Sequence, residues 1–272
     1  MFRGGAGAFA CQLLVGWLCL PPLFSQDLRS VTSPNGQIEF RAFFAVPSRG
    51  EPDRLAYQVL YKGKPVIDTS FIAFEIREQS PLGEKLGLIA EKSESANAYR
   101  GISLEYMQNG TTGRRISLEA RAFDTGVAFR YVIPKTSLVE EIFIQNEDTE
   151  FRFPEDIETF PSLAPDFGVP AKPPTAMKLS QISPDPIIAT PFVAREPGSI
   201  WISISQADER GYPPLYLNHT EGTILETALP PLPNNPKLAI DTNTPLVCPW
   251  RIVAIGPSRE SVAEPRSLVP GS

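Results

Sequence analysis

Along residues 38–133 apolar and polar positions alternate with a period of two. The segments 38–44 (IEFRAFF), 57–61 (YQVLY), 102–106 (ISLEY), 116–122 (ISLEARA) and 127–133 (VAFRYVI) each place their apolar side chains on one face of an extended strand. Turn residues stand between them: 33–36 (SPNG), Lys62-Gly63, Asn109-Gly110 and 124–126 (DTG). Asn-Gly is the strongest hairpin signal of these, because both central positions of a type I′ turn need positive φ. No stretch of twelve residues sustains a helical period. The pattern predicts an all-β sandwich.

Proline divides the chain. Residues 53–153 hold three prolines and residues 154–249 hold eighteen. Proline donates no ladder hydrogen bond and is confined to strand edges, so the second stretch is expected to be rich in loops. Within it, 200–205 (IWISIS) and 250–255 (WRIVAI) still read as strands. Residues 161–191 read as a long irregular excursion, and long ordered loops often carry function.

The N-terminus reads as an address. Residues 4–26 carry no charge between Arg3 and Asp27, and 13–20 (LLVGWLCL) form an apolar core followed by Pro21-Pro22. A basic start, a short apolar run and a polar exit describe a secretory signal peptide, with cleavage placed near Ser25. The run is too short to span a bilayer, which takes about 20 apolar residues. The chain is therefore expected to be secreted, with no membrane span after cleavage. Removing the signal also removes Cys11 and Cys19, which leaves Cys248 alone in an apolar setting and no internal disulfide. An ordinary hydrophobic core must then hold about 247 residues together, which is ample length for one.

Charge narrows the partners. The 25 basic against 31 acidic residues give a formal net charge of −6, which argues against a nucleic-acid footprint. A single histidine, His219, leaves little room for His-dependent catalysis or multi-His metal sites. Neither a glycine-rich phosphate loop, nor Cys-x-x-Cys, nor Gly-x-Ser-x-Gly occurs. Acidic residues remain. Glu147, Asp148 and Glu150, with Glu155, Asp156 and Glu158, read as a solvated acidic rim or as one side of a carboxylate pair. A glycosidase would need two such groups about 5–10 Å apart. The loop after 200–205 carries Gln206, Asp208 and Glu209 before Gly211 and Tyr212. Its oxygen groups suit either an ordinary polar loop or a hard cation such as Ca²⁺. Trp201, Tyr212 and Tyr216 read equally as sugar-stacking surface rings or as core. Asn109 and Asn218 head glycosylation-type triplets, a pattern that occurs often by chance.

The ordered string of motifs resembles the N-terminal domain of glycoside hydrolase family 97, bacterial α-glucosidases and α-galactosidases. Residues 31–36 (VTSPNG) are similar to the family's opening strand. Residues 57–67 (YQVLYKGKPVI) are similar to its strand-turn-strand, and 120–131 (ARAFDTGVAFRY) to its most specific segment. Residues 147–154 (EDTEFRFP) and 244–253 (TPLVCPWRIV) complete the resemblance. It covers about residues 31–256 and implies a large two-sheet β-sandwich, a galactose-mutarotase-like super-sandwich. In the family this domain packs on a (β/α)₈ barrel that carries the catalytic carboxylates, so no catalytic residue is expected in this chain. The resemblance implies a signal peptide at 1–25, a sandwich at 26–256 and a truncated linker or tail at 257–272. It also implies a periplasmic location and a carbohydrate partner, an α-glucoside or α-galactoside.

The family's Ca²⁺ is held partly by a sandwich glutamate in a His-Glu-Ala-x-x-x-x-Tyr-Pro motif. The matching stretch here is 205–213 (SQADERGYP), which puts Gln206 at the glutamate's position. Gln206 is thus the position implied for the metal, although an amide brings no charge. Asp208 and Tyr212 are the positions implied for sugar contact. The complete enzyme is expected to use Ca²⁺ and the isolated domain none. A free-standing carbohydrate-binding module is the alternative. A sugar epimerase would need a histidine and a glutamate, and His219 lies in an Asn-His-Thr turn.

Overall fold

The computed structural model describes residues 1, 27–109, 113–136, 140–209 and 211–269. The signal-like segment and the tip of the Asn109-Gly110 turn lie outside the described residues. The expected sandwich is present: two ten-stranded sheets, with every strand pair antiparallel. The first sheet runs from the edge strand Arg29–Thr32 through Ile38–Ala45, Arg54–Tyr61 and Lys64–Ile76 to Glu141–Arg152. It continues through Ile224–Ala228, Tyr216–His219 and Ile187–Ala189 to a short far edge at Ser162–Ala164. The second sheet centres on Ile200–Ala207, Trp250–Gly256 and Gly126–Ile133, flanked by Arg115–Phe123, Tyr99–Gln108 and Leu86–Ser95.

Alternation decides what enters the space between the sheets. Phe40, Tyr57 and Phe151 from the first sheet meet Phe129 from the second, with centroid separations of 5.5 Å for Phe40–Phe129 and 4.8 Å for Tyr57–Phe129. Phe74 meets Tyr131 edge-on at 5.4 Å. Such pairs contribute about 0.5–1.5 kcal/mol each beyond burial of their area. Ile202, Ile204, Leu217, Leu225 and Val253 extend the same core.

Two strands were not legible as amphipathic segments. Lys64–Ile76 is thirteen residues long and buried on both faces in its second half, so it reads as a continuous apolar run. Leu86–Ser95 is exposed along most of its length. It forms the free edge of the second sheet, where charged side chains discourage edge-to-edge pairing. The proline-rich excursion is less irregular than expected. It holds the short strands Ser162–Ala164, Met177–Lys178 and Ile187–Ala189, although 165–176 forms no regular structure.

The C-terminal residues are part of the packing. Two 3₁₀ turns, Glu260–Val262 and Pro265–Leu268, lie over the outer face of the second sheet. Leu268 and Val269 pack there against Phe123, Ala128, Trp250 and Ile252. Among the described residues no helix is long and apolar enough to cross a membrane.

One glycine is demanded by close approach. Gly83 has φ +139°, and a Cβ there would sit 2.4 Å from the Ile72 carbonyl oxygen. Gly63 has φ +77° with open space around it. Gly83→Ala is therefore expected to lower unfolding free energy by at least ~2 kcal/mol, and Gly63→Ala by only ~1 kcal/mol. Urea denaturation of both variants checks the contrast.

Candidate functional site

Ile142 and Ile144 face the interior, and past a register shift strand Glu141–Arg152 turns Glu147, Thr149 and Phe151 inward, while Asp148, Glu150 and Arg152 face outward. Across the core, Arg251 on Trp250–Gly256 and Gln206 on Ile200–Ala207 are direct cross-strand partners and share the inward face. These positions build a polar centre inside an apolar sandwich. Glu147 and Arg251 are both fully buried. The Arg251 Nε donates to Glu147 Oε1 at 3.0 Å, and Nη2 donates to Oε2. Thr149 Oγ1 donates to Oε1 at 2.9 Å and Tyr212 Oη to Oε2 at 2.5 Å. With four donors the carboxylate has its acceptor sites filled.

The strand-end loop closes over this centre. Gln206 Oε1 accepts from Arg251 Nη1 at 2.5 Å, and Gln206 Nε2 donates to the Pro213 carbonyl at 3.3 Å. The Tyr212 ring lies under the guanidinium at 5.4 Å. Thr227 Oγ1 donates to the Glu147 carbonyl, and Tyr131 shares a hydroxyl contact of 2.9 Å with Thr149. Burial opposes the charge on Arg251, but the Glu147 carboxylate outweighs it and holds the guanidinium above its ordinary pKa. Burial pushes the Tyr212 hydroxyl well up, as it does the Cys248 thiol, so both stay protonated.

The structure thus brings Gln206 and Tyr212 together through Arg251. Asp208 lies apart on the half-exposed loop, in a left-handed conformation with φ +65°. Its neighbour Glu209 pairs with Arg266 of the C-terminal turn at 2.7 Å. The residues at the calcium position do not fit the ion. The amide oxygen of Gln206 is already occupied by a cation, the Arg251 guanidinium, and a metal would have to displace it.

The acidic stretch is not one solvated rim. Glu147 is buried and saturated. Asp148 and Glu150 sit half-buried on the outer face of the first sheet, near Glu75 and Glu226, while Glu155 and Asp156 are exposed. The reason is strand alternation, which sends adjacent acids to opposite faces. Of the three aromatics, Tyr212 is core, Trp201 stacks on Phe160 at 5.4 Å, and Tyr216 meets Phe167 edge-on. Both His219 ring nitrogens face carbonyl oxygens, Ile182 at 2.6 Å and Gly222 at 3.1 Å, so the ring ties down a turn. Arg251 was missed by motif reading. Its signal was a lone charge inside the apolar run 250–255, which obliges a buried partner.

The model of the family described as Glycosyl-hydrolase 97 N-terminal matches residues 31–270. This chain belongs to that family. The match runs fourteen residues past Gly256, where the motif resemblance ends, and takes in the C-terminal turns on the second sheet. A retaining alpha-galactosidase from Bacteroides thetaiotaomicron is 24% identical over 229 residues, covering 77% of this chain and 33% of that protein. A variant of a Glycoside Hydrolase Family 97 enzyme from Pseudoalteromonas sp. strain K8 superposes with TM-score 0.76 at 22% identity, over 86% of this chain and 36% of that one. The same Pseudoalteromonas enzyme in complex with acarbose gives TM-score 0.74 at 21% identity, with the same coverage of both chains. A beta-arabinopyranosidase superposes with TM-score 0.69 at 20% identity, over 86% of this chain and 40% of that one. This family member spans about a third of the length of the relatives it matches.

The buried pair makes a stability prediction. Glu147→Gln leaves Arg251 buried without a counter-charge and is expected to cost ~3–5 kcal/mol. The double variant Glu147→Leu with Arg251→Met removes both charges and is expected to recover much of that loss, read by denaturant unfolding. The outer-face acids predict a pH effect. Burial, then the charges of Glu75 and Glu226, raise Asp148 to about 7. The folded chain therefore holds a proton that the unfolded chain releases above about pH 4, and stability falls as pH rises from there to about 7. Asp148→Asn is expected to flatten that fall in melting temperature measured from pH 4.5 to 8.

Proposed function

We propose that this chain is the non-catalytic N-terminal domain of a family 97 α-glycosidase of the α-glucosidase or α-galactosidase type. In this reading it is exported to the periplasm. There it packs on a (β/α)₈ barrel that these 272 residues do not include, and completes the barrel's sugar-binding active site. The observation that carries the proposal is the family match over 31–270 in a chain that spans only a third of its relatives' length.

The chemistry of the site supports the same reading. A glycosidase needs an acid and a base or nucleophile facing one another across a cleft. The best-placed carboxylate here, Glu147, accepts four hydrogen bonds in a water-free core, so it can neither reach a glycosidic oxygen nor exchange a proton with one. Asp208 and Glu209 of the loop are left to shape a surface rather than to drive a reaction. Asp208 is the residue of that loop assigned to sugar contact. Tyr212 supports the loop from beneath, because its hydroxyl is committed to Glu147.

The purified chain is expected to release no p-nitrophenol from p-nitrophenyl α-glucoside or α-galactoside above the rate without protein. Turnover that survives Gln206→Ala and Asp208→Ala would sink the non-catalytic assignment. Saturable binding of maltooligosaccharides by a soluble monomer would favour a free-standing module instead.

A further inference from the structure

A cleft of about 700 Å³ opens between the sheets at the end formed by Arg115, Ile133, Glu141 and Asn243. Arg114 lies at its floor and is only 8% exposed. Three neutral acceptors hold its guanidinium. Nη1 donates to Gln79 Oε1 at 3.0 Å, and Nη2 donates to the Ser80 carbonyl at 2.8 Å and to Gln108 Oε1 at 2.5 Å. No carboxylate among the described residues comes within ion-pair distance. Two of its five N–H donors carry no bond to the described residues. A second unmet group lies in the wall, where the Thr136 hydroxyl is buried without a hydrogen-bond partner.

A charge withdrawn from water calls for a counter-charge, and three neutral oxygens do not supply one. The centre described above shows how this fold treats such a group: Arg251, fully buried, has Glu147. Arg114 has an open cleft in that place. The rim carries Glu140, Glu141 and Asn243, all exposed, so their fields are screened more than that of the cation beneath them. The floor therefore selects a negative charge, and the rim accepts hydrogen bonds from hydroxyl groups. A dianion would set a second charge against Glu140 and Glu141. A bare carboxylate would leave the rim unused. One carboxylate on a polyhydroxylated body meets both demands, and the half-buried Phe143 ring suits its C–H surface.

We propose that this cleft binds a sugar acid of the uronate type, its carboxylate on Arg114 and its hydroxyls on Glu140, Glu141 and Asn243. Thr136 supplies a further hydrogen bond. The site stands on its own residues and holds whether or not the domain completes a barrel's active site.

The test is titration of the ¹⁵N-labelled full chain with D-glucuronate, D-glucose and acetate in parallel. Glucuronate is expected to shift the Arg114 Nε–H resonance saturably, with glucose and acetate each at least about tenfold weaker, as loss of a charge-assisted contact or of the hydroxyl contacts requires. Arg114→Gln, checked for folding by its thermal melt, is expected to weaken glucuronate binding at least about tenfold. Thr136→Val is expected to weaken it less. Glucose binding as tightly as glucuronate, an unshifted Arg114 resonance, or full affinity in folded Arg114→Gln would each overturn the proposal. Should Arg114→Gln fail to fold, the resonance shift in the unaltered chain decides.

Discussion

Among the described residues, one ion pair that water does not reach joins the two sheets at their centre. Glu147 comes from the first sheet, and Arg251 with its neighbour Gln206 comes from the second. Desolvating two charges costs several kcal/mol per ion, and attraction offsets this only when geometry is good and every remaining donor and acceptor is met. The structure satisfies that condition with Thr149, Tyr212 and Gln206. Few alignments of two ten-stranded sheets would bring that set of partners to one carboxylate.

That constraint reaches the loop after Ile200–Ala207. Gln206 and Tyr212 bracket Asp208, and both are fastened to the buried centre, so the loop is presented on a rigid base. The same fastening removes these side chains from chemistry. An amide oxygen on a guanidinium does not serve a cation, and a carboxylate with four donors does not shuttle protons. The chain belongs to a family whose longer relatives are glycoside hydrolases.

Legibility varied with how local each signal was. The strands containing 38–44, 116–122 and 127–133 could be read because one side is core and the other solvent. Leu86–Ser95 escaped because an edge strand with little buried surface carries no apolar stripe. Lys64–Ile76 escaped for the opposite reason, being apolar on both faces where it is covered twice. Gln206 and Tyr212 were singled out by family motif, and the structure shows that they belong to one network. Glu147 was read with its acidic neighbours as exposed, because a run of acids looks the same whichever face each occupies.

The sequence by itself determined the class of fold, the alternating faces of most strands and the family, since period-two patterning and short motifs are carried by neighbouring residues. It also determined that Arg251 would need a partner, because a charge in an apolar strand cannot stay unmet. Which partner it takes was decided only by the tertiary structure. Glu147 lies 104 residues away, and the contact exists only once both sheets have formed and faced each other. The same holds for Arg114, left by that assembly without a carboxylate partner among the described residues, because burial and pairing are properties of the packed sheets and not of the segment that carries the charge.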